Sequence, residues 1–261
     1  FALEGAVDDA MKPEQRSIQS IEVGFRLIRV LEEAEAKLPL KTLSSRAGMT
    51  AGKAHQYLVS FMRLGLIVQD HSTGHYGLGP YALQLGLAAL RQVNPSEIAG
   101  EVLERLQARF ELPTYFSIWG QMGPFIALKR DFELPTPFGI KPGFVFPLLA
   151  TATGNIFLAY MPEQATRPLI EKEGRLHPDL LARAEDMRRE IRAAGYTVSK
   201  GHLFRGFAGV SCPVFDHEGA LAGAVTILGV ASFIDPGPFS DIVMAVKKAA
   251  AEISHKLGFK A

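Results

Sequence analysis

The spacing of apolar residues in the first third of the chain predicts two short helices joined by a tight turn. Leu40, Leu43 and Ala47 recur at helical intervals, which places them on one face of the first helix. Gly48 follows as the residue that ends this helix, and Thr50 stands where a hydroxyl caps the next one. The pattern is typical of a helix-turn-helix unit, whose second helix is shaped to enter the major groove of DNA.

The second helix divides its apolar and polar side chains between two opposite faces. The apolar face holds Ala54, Leu58 and Phe61, and the polar face holds Lys53, Gln56, Ser60 and Arg63. Two short strands follow at 66–70 and 75–78 around a turn at 71–74, and they predict the β-hairpin known as a wing. An earlier helix with an apolar stripe, capped by Ser20, completes the unit.

The rest of the chain predicts a linking helix and then a second domain of mixed strands and helices. Pro80 begins an apolar helix with little charge that ends near Asn94, and we expect this helix to pack on a second subunit. From residue 113 the pattern takes the period of strands. The predicted elements are strands at 115–119, 125–128, 196–199, 208–215 and 220–229, a loop at 133–146, and helices at 96–110, at 179–194, from Ala150 onward, and up to Gly258. The fold class is therefore α+β, with a winged helix-turn-helix unit and an α/β-like second domain.

The composition is that of a globular protein with two modest domains. The chain has 261 residues, 48% of them hydrophobic and 21% charged, and a formal net charge of +1. A net charge this close to zero does not indicate nucleic-acid binding by itself, so any basic surface that binds DNA has to be local. The single cysteine, Cys212, excludes an intrachain disulfide and fits a reducing compartment. No apolar run has the length of a membrane span, and residues 1–10 are too acidic for a signal peptide. We therefore expect a cytoplasmic protein that does not bind a membrane.

Three further motifs follow the helix-turn-helix in order. They are Gly-x-Tyr-x-Leu-Gly at 74–79, Ala-Thr-Ala-x-Gly at 150–154, and Cys-Pro-Val-Phe-Asp at 212–216 with Gly219 behind it. Together they resemble the IclR family of bacterial transcription regulators, from about residue 17 to residue 257. The resemblance implies a repressor or activator that binds an operator in double-stranded DNA, is not an enzyme and needs no cofactor.

The same resemblance implies a domain organisation. A winged helix-turn-helix domain at 17–79 leads into a linker helix at 80–95 that mediates dimerisation. A GAF-like domain at 96–261 then binds a small effector, often an organic or aromatic acid. The assembly is a homodimer or a dimer of such dimers. Residues 1–16 are an extension, either native or partly left by a vector.

The DNA-binding residues follow from the polar face of the second helix and from the family positions. The predicted set is Lys41, Arg46, Thr50, Ala51, Gly52, Lys53, His55, Gln56 and His75. Relatives often carry Arg where Gln56 stands, and Gln favours adenine where Arg favours guanine. Relatives also often carry Arg in the wing, where this chain has His75 and Gly77. Fewer phosphate contacts there lower non-specific affinity for DNA.

The effector site is expected at the helix that begins near Ala150. Its first amides are unpaired, and small residues let a carboxylate approach them. The resemblance adds positions on the facing strands, of which Gly209 and Leu228 lack a hydrogen-bonding side chain. The predicted set is Trp119, Phe144, Phe146, Leu149, Thr151, Ala152, Thr153, Gly154, Ser199, Gly209, Ser211, Thr226 and Leu228. Low polarity and several aromatic rings favour an aromatic or cyclic carboxylate, although any one Phe in the set is also an ordinary core residue.

Other functions are open at this point. The stretch 77–82 satisfies the Gly-x-Gly-x-x-Ala dinucleotide fingerprint, but Pro80 lacks an amide where the turn has to hold pyrophosphate. Cys212 is a possible nucleophile, yet a thiol on an apolar strand is ordinarily buried and inert. His71 and His75 lie across the wing turn as a weak metal pair. A ligand sensor that does not bind DNA is the remaining alternative.

Overall fold

The computed structural model of the chain describes residues 17–131, 140–200, 203 and 205–260. It divides into two compact units, one up to Gln92 and one from Val93 onward. The predicted extension at 1–16 and residues 133–139 of the predicted loop lie outside the described residues.

The first unit packs helices and a two-stranded antiparallel sheet around a small core. Leu27, Leu43 and Leu58 come from three successive helices and are fully buried against Ile67 and Tyr76 of the hairpin. The elements are α1 (Gln19–Glu32), α2 (Leu40–Arg46), α3 (Ala51–Arg63), β1 (Ile67–Gln69), β2 (Tyr76–Leu78) and α4 (Pro80–Gln92).

The turn between α2 and α3 is built as the sequence predicts. Gly48 has φ +63°, a left-handed conformation that glycine adopts without a steric penalty. The Lys53 amide donates to the Thr50 hydroxyl at 3.4 Å, which caps α3. The prediction for Ser20 is wrong, because α1 begins at Gln19 without a side-chain cap and Ser20 lies inside its first turn.

Helix α4 has an unusual surface within its own unit. None of its residues is buried, although its sequence is largely apolar. The exposed large side chains are Tyr81, Leu83, Leu85, Leu87 and Leu90. Exposed apolar side chains this close together mark an interaction surface in a soluble protein.

The second unit is a five-stranded antiparallel sheet between two helical layers, with strand order β4-β3-β7-β6-β5. Helices α5 and α10 cover one face of the sheet, while α6 covers the other and is backed by α9. The elements are α5 (Pro95–Phe110), β3 (Thr114–Gly120), β4 (Gly123–Arg130), α6 (Ala152–Tyr160), α7 (Glu163–Gly174), α8 (Pro178–Ala182), α9 (Ala184–Ala194), β5 (Thr197–Lys200), β6 (Phe207–Phe215), β7 (Leu221–Val230) and α10 (Asp241–Lys256).

Two elements differ from the sequence prediction. Helix α7 was not predicted, because it is short of apolar residues and contains Pro168, which is disfavoured inside a helix. The single charged helix predicted at 179–194 is two helices, α8 and α9, separated at Arg183. The remaining predicted elements of this unit agree with the observed ones to within a few residues.

Candidate DNA-reading surface and ligand cavity

Helix α3 places its apolar and polar residues as the sequence pattern predicts. Ala54 and Leu58 are fully buried against the core of the first unit. Lys53, His55 and Gln56 are exposed on the other side of the helix. The exposed side chains can therefore reach a partner without disturbing the core.

The first turn of α3 is open to approach. Ala51 and Gly52 are exposed, and a side chain at Gly52 would meet no atom within 4 Å. Thr50 uses its hydroxyl as the cap of the helix. A helix N-terminus with no bulky side chain around it suits a phosphate group.

Helix α2 carries two more exposed basic side chains of the predicted set. Lys41 and Arg46 are exposed, and neither they nor Lys53 form an ion pair with a described residue. His75, which precedes β2, is half-buried and its amide donates to the Thr73 hydroxyl at 3.3 Å. The predicted DNA-binding residues thus lie on α2, on α3 and at the wing, and their roles stay predictions.

The wing turn is held by one carboxylate. Asp70 Oδ1 accepts from the Ser72 amide at 3.0 Å, the Ser72 hydroxyl at 2.6 Å and the Thr73 amide at 3.2 Å. Lys37 Nζ donates to Asp70 Oδ2 at 2.9 Å. The hydrogen bond from the Ser72 hydroxyl, followed by that from Lys37, holds the pKa of Asp70 far below its usual range. The wing therefore has a fixed shape at neutral pH.

The second unit contains a cavity between the first turn of α6 and the sheet. Eight of its lining residues belong to the predicted effector set: Phe146, Thr151, Ala152, Thr153, Ser199, Gly209, Thr226 and Leu228. The others are Tyr115, Ile140, Ala150, Leu203 and Phe207. The free space is about 50 Å³, which is room for a few water molecules. None of these described lining residues is charged, so the cavity is neutral and largely apolar.

The start of α6 supplies the polar end of the cavity. Thr151 caps the helix, because its hydroxyl accepts from the Gly154 amide at 2.9 Å. The amides of Ala152 and Thr153 have no partner within the helix, as in the first turn of any α-helix. A ligand carboxylate could accept from them there.

A chain of hydroxyls joins α6 to the sheet beside the cavity. Thr153 Oγ1 lies 2.8 Å from Thr226 Oγ1, which lies 2.8 Å from Ser211 Oγ. Ser211 Oγ donates in turn to the Val225 carbonyl at 3.3 Å. Tyr115 is the register partner of Thr226 on the neighbouring strand, so Tyr115, Thr226 and Ser211 form one row across β3, β7 and β6.

The segment that enters α6 is held from several sides. The amides of Leu148 and Leu149 each donate to the Glu173 carboxylate at 2.8 Å. Asn155 Nδ2 donates to the carbonyls of the same two residues at 2.7 and 3.1 Å. A Cβ at Gly154 would lie 2.0 Å from the Pro147 carbonyl oxygen, so this close approach requires glycine.

The other end of α6 is held by two arginines of α9. Arg188 donates to the Leu158 carbonyl at 2.5 Å and to the Thr166 hydroxyl at 3.1 Å. Arg192 Nε donates to the Ala159 carbonyl at 2.6 Å. Positive side chains at this end also complement the negative C-terminal end of the helix dipole.

Five residues of the predicted effector set do not line the cavity. Trp119 packs on Phe157 with ring centroids 5.9 Å apart, further along β3 from the cavity. Phe144 packs behind Phe146 at 5.1 Å. Leu149 and Gly154 are buried in the segment that enters α6 and in its first turn, and Ser211 reaches the cavity only through Thr226.

Sequence reasoning missed Tyr115 for a physical reason. Tyr115 and Phe116 are both buried, because β3 is covered on both faces, and a strand of this kind shows no alternation of polar and apolar residues. The register of β3 against β7 would have revealed it, since Tyr115 pairs with Thr226.

The dinucleotide fingerprint and the cysteine nucleophile are not supported by the structure. The amides of Gly79 and Tyr81 donate to the carbonyls of Leu66 and Gly65 at 2.7 and 3.1 Å, so they are not free to hold pyrophosphate. Burial raises the pKa of Cys212 to about 12, which keeps the thiol protonated and unreactive. Among the described residues, no cluster of three or more His, Cys, Asp or Glu side chains could hold a metal ion. No helix within the described part of the chain is long and apolar enough to span a membrane.

Comparison with known families matches both units. Residues 20–71 match the model for the IclR helix-turn-helix domain, and residues 87–255 match the model for the bacterial transcriptional regulator IclR C-terminal domain. The chain is 27% identical to the glycerol operon regulatory protein of Streptomyces griseus, covering 93% of this chain and 98% of that protein. It is 23% identical to the transcriptional repressor IclR of Escherichia coli K12, covering 95% and 93%. The crystal structure of Pseudomonas aeruginosa HmgR is similar with a TM-score of 0.87 and 31% identity, covering 94% of this chain and all of that one.

Proposed function

Because this chain belongs to the IclR family and is a DNA-binding transcriptional regulator, we propose that it reads its operator with α3 and adjusts its affinity for DNA to a small acid. A regulator of this kind acts where the chromosome is, so we place the protein in the bacterial cytoplasm. The two activities are assigned to separate units, the first to DNA and the second to the ligand.

The exposed polar face of α3 is the observation that carries the DNA assignment. Lys53 and Gln56 are exposed on the side of α3 away from the core, and Lys41 and Arg46 are exposed on α2. Lys and Arg supply contacts to phosphates, which set the position of the protein on DNA, and Gln56 can pair with the edge of an adenine. The wing contributes His75 and a turn fixed by Asp70.

We assign α4 to dimerisation. It buries no residue within its own unit and exposes a row of leucines. A second copy of the same helix would cover this surface and bring two α3 helices to one operator, as the two-fold symmetry of most operators requires. A dimer of dimers is the larger assembly that the family resemblance allows.

The effector is proposed to be an aromatic or cyclic carboxylate. Its carboxylate would lie against the amides of Ala152 and Thr153, and its ring against Phe146 and Leu228. The free space of about 50 Å³ is smaller than a ring, so we expect side chains of the lining, such as the partly exposed Leu203, to move when the ligand enters. A ligand that binds the moved arrangement better shifts the population toward it, and this difference in affinity is what couples the ligand to DNA.

Selection of an operator tests the DNA assignment. The full chain is used to select binding sites from random double-stranded DNA, and the recovered site is measured by gel shift. The double variant Lys53→Ala/Gln56→Ala is expected to lose most of its affinity for that site. The matched control is Lys172→Ala/Gln164→Ala, exposed on α7, which should bind normally. Equal binding by the α3 variant and the wild type would assign the DNA contacts elsewhere.

A thermal-shift panel tests the effector class. Benzoate, its hydroxylated derivatives, cyclohexanecarboxylate, acetate and pyruvate are compared at equal concentration with the full chain. An aromatic or cyclic acid is expected to raise the melting temperature and to change the affinity for the selected operator. A rise with the short aliphatic acids alone would show that the ligand class is wrong.

A further inference from the structure

The hydroxyl hydrogens around the cavity can be counted one by one. Ser211 donates to the Val225 carbonyl, so in its contact with Thr226 it has to accept. Thr226 then has no hydrogen left for Thr153 and accepts from it at 2.8 Å. In this arrangement each of the three linked hydroxyls, those of Ser211, Thr226 and Thr153, donates its single hydrogen to a neighbour.

The two other hydroxyls of the lining are committed as well. Thr151 donates to the Pro147 carbonyl at 2.7 Å, and Ser199 donates to the Ala150 carbonyl at 3.3 Å. These side chains can accept from a ligand but cannot donate to it without breaking a bond within the protein. Among the described lining residues, this leaves only Tyr115 with an uncommitted side-chain hydrogen.

The position of Tyr115 suits a donor to a ligand. It lines the cavity and is only 2% exposed, yet its hydroxyl forms no hydrogen bond with a described residue. Burial raises the pKa of this phenol, and the Asp131 charge raises it further, so the phenol keeps its hydrogen across the working range of pH. A ligand in the cavity that accepts from this hydroxyl would gain a hydrogen bond without breaking one within the protein.

The ring of Tyr115 is also held in place. Lys129 Nζ lies 5.9 Å from the ring centroid and donates to the Ile140 carbonyl at 2.6 Å. It forms an ion pair with Asp131 at 2.7 Å. Tyr115 also packs against Phe146 with ring centroids 6.3 Å apart. A donor fixed in this way discriminates between ligands by geometry as well as by charge.

We propose that Tyr115 determines ligand specificity by donating a hydrogen bond to a second polar group on the ring acid. The preferred ligand is then a ring carboxylate that carries a further acceptor, such as a hydroxyl or a carbonyl oxygen. This inference rests on the proposed function, because it assigns the carboxylate of the same ligand to the start of α6.

Isothermal titration of the full chain with matched acids tests the proposal. The probes are the three monohydroxybenzoates and the three methylbenzoates, so that at each ring position a hydroxyl is compared with a methyl group of similar size. We expect at least one hydroxybenzoate to bind about tenfold more tightly than the methylbenzoate of the same position, which is the usual effect of one hydrogen bond. Tyr115→Phe should reduce this ratio to about two or less and leave the affinity for the methylbenzoate unchanged.

Tyr160→Phe is the matched control, because Tyr160 lies at the far end of α6 and does not line the cavity. It should keep the wild-type ratio. If the acids bind but the wild type shows no preference for a hydroxyl, or Tyr115→Phe keeps the preference, the proposal for Tyr115 is overturned while the effector class stands. If none of the six acids binds, the site does not take benzoates, and both the proposal for Tyr115 and the aromatic part of the effector class are wrong. A wild type that shows no preference for any hydroxybenzoate overturns the proposal even if Tyr115→Phe fails to fold.

Discussion

Thr153 on α6 and Thr226 on β7 share a hydrogen bond of 2.8 Å between their hydroxyls, and both residues are buried. This contact ties the first turn of the ligand helix to the middle of the sheet. Because Thr226 also contacts Ser211, one side chain connects three elements.

Thr226→Val is expected to destabilise the second unit. The substitution keeps the shape of the side chain but leaves the hydroxyls of Thr153 and Ser211 with fewer partners in a buried place, at a cost of about 1–3 kcal/mol. Urea denaturation of the two proteins measures the difference. Thr42→Val on α2, whose hydroxyl bonds no described residue, serves as the control and should change stability much less. A loss for Thr226→Val no larger than that of the control would show that the hydroxyl chain does not stabilise the fold.

Lys53→Ala is expected to weaken binding of the selected operator and to make it less sensitive to salt. Loss of one phosphate contact lowers the slope of log affinity against log salt concentration by about 0.9. Gel shifts at several salt concentrations give the slope for the wild type, for Lys53→Ala and for Lys172→Ala. An unchanged slope combined with reduced affinity would instead indicate that Lys53 contacts a base edge.

Asp70→Ala is expected to loosen the wing turn at neutral pH. The folded-state pKa of Asp70 is lowered, so its contribution is fully present above the unfolded pKa of about 3.9 and is lost as pH falls below that value toward the folded pKa. Hydrogen exchange at the amides of Ser72 and Thr73 should be faster in the variant at pH 7. The difference in melting temperature between variant and wild type should shrink below about pH 4.

The control for the wing experiment is Glu35→Ala, an exposed carboxylate in the same unit. It should leave hydrogen exchange at the wing unchanged. A gap between Asp70→Ala and the wild type that persists undiminished at the lowest pH would mean that the Asp70 charge does not hold the turn.

Glu173→Ala is expected to destabilise the segment that enters α6. Two amides, those of Leu148 and Leu149, lose their acceptor, and each unpaired, partly buried donor costs about 1–3 kcal/mol. Ligand affinity should fall with stability, because this segment positions the first turn of α6. Glu171→Ala, exposed on the same helix, is the matched control. Similar melting temperatures for the two variants would contradict the role given to Glu173.

The helix-turn-helix was predictable because its signals are local. The Gly48 turn, the Thr50 cap and the alternating faces of α3 each depend on residues a few positions apart. Ser20 misled the prediction, because α1 begins at Gln19 without a side-chain cap and Ser20 lies inside its first turn. Local chemistry fixes an element more reliably than it fixes the residue where the element begins.

The cavity was only partly predictable because it depends on long-range register. The small residues at the start of α6 mark its polar end from sequence alone, whereas Tyr115 joins the lining through its pairing with Thr226. Trp119 was expected there as an aromatic residue on a nearby strand. It lies four residues beyond Tyr115 on β3 and packs on Phe157 instead of lining the cavity.

Helix α6 is fixed at both ends, by Thr151 and Glu173 at its start and by Arg188 and Arg192 at its finish. Nine residues of α-helix span about 13 Å, and nearly all of them are buried. Because the helix is short, buried and bonded at both ends, we expect no part of it to bend while the rest stays in place. If a ligand displaces the first turn, we expect the whole helix to shift with it, and the bonds from Arg188 and Arg192 would carry that shift to α9. In this way α6 would connect the ligand site at its start with α9 at its finish.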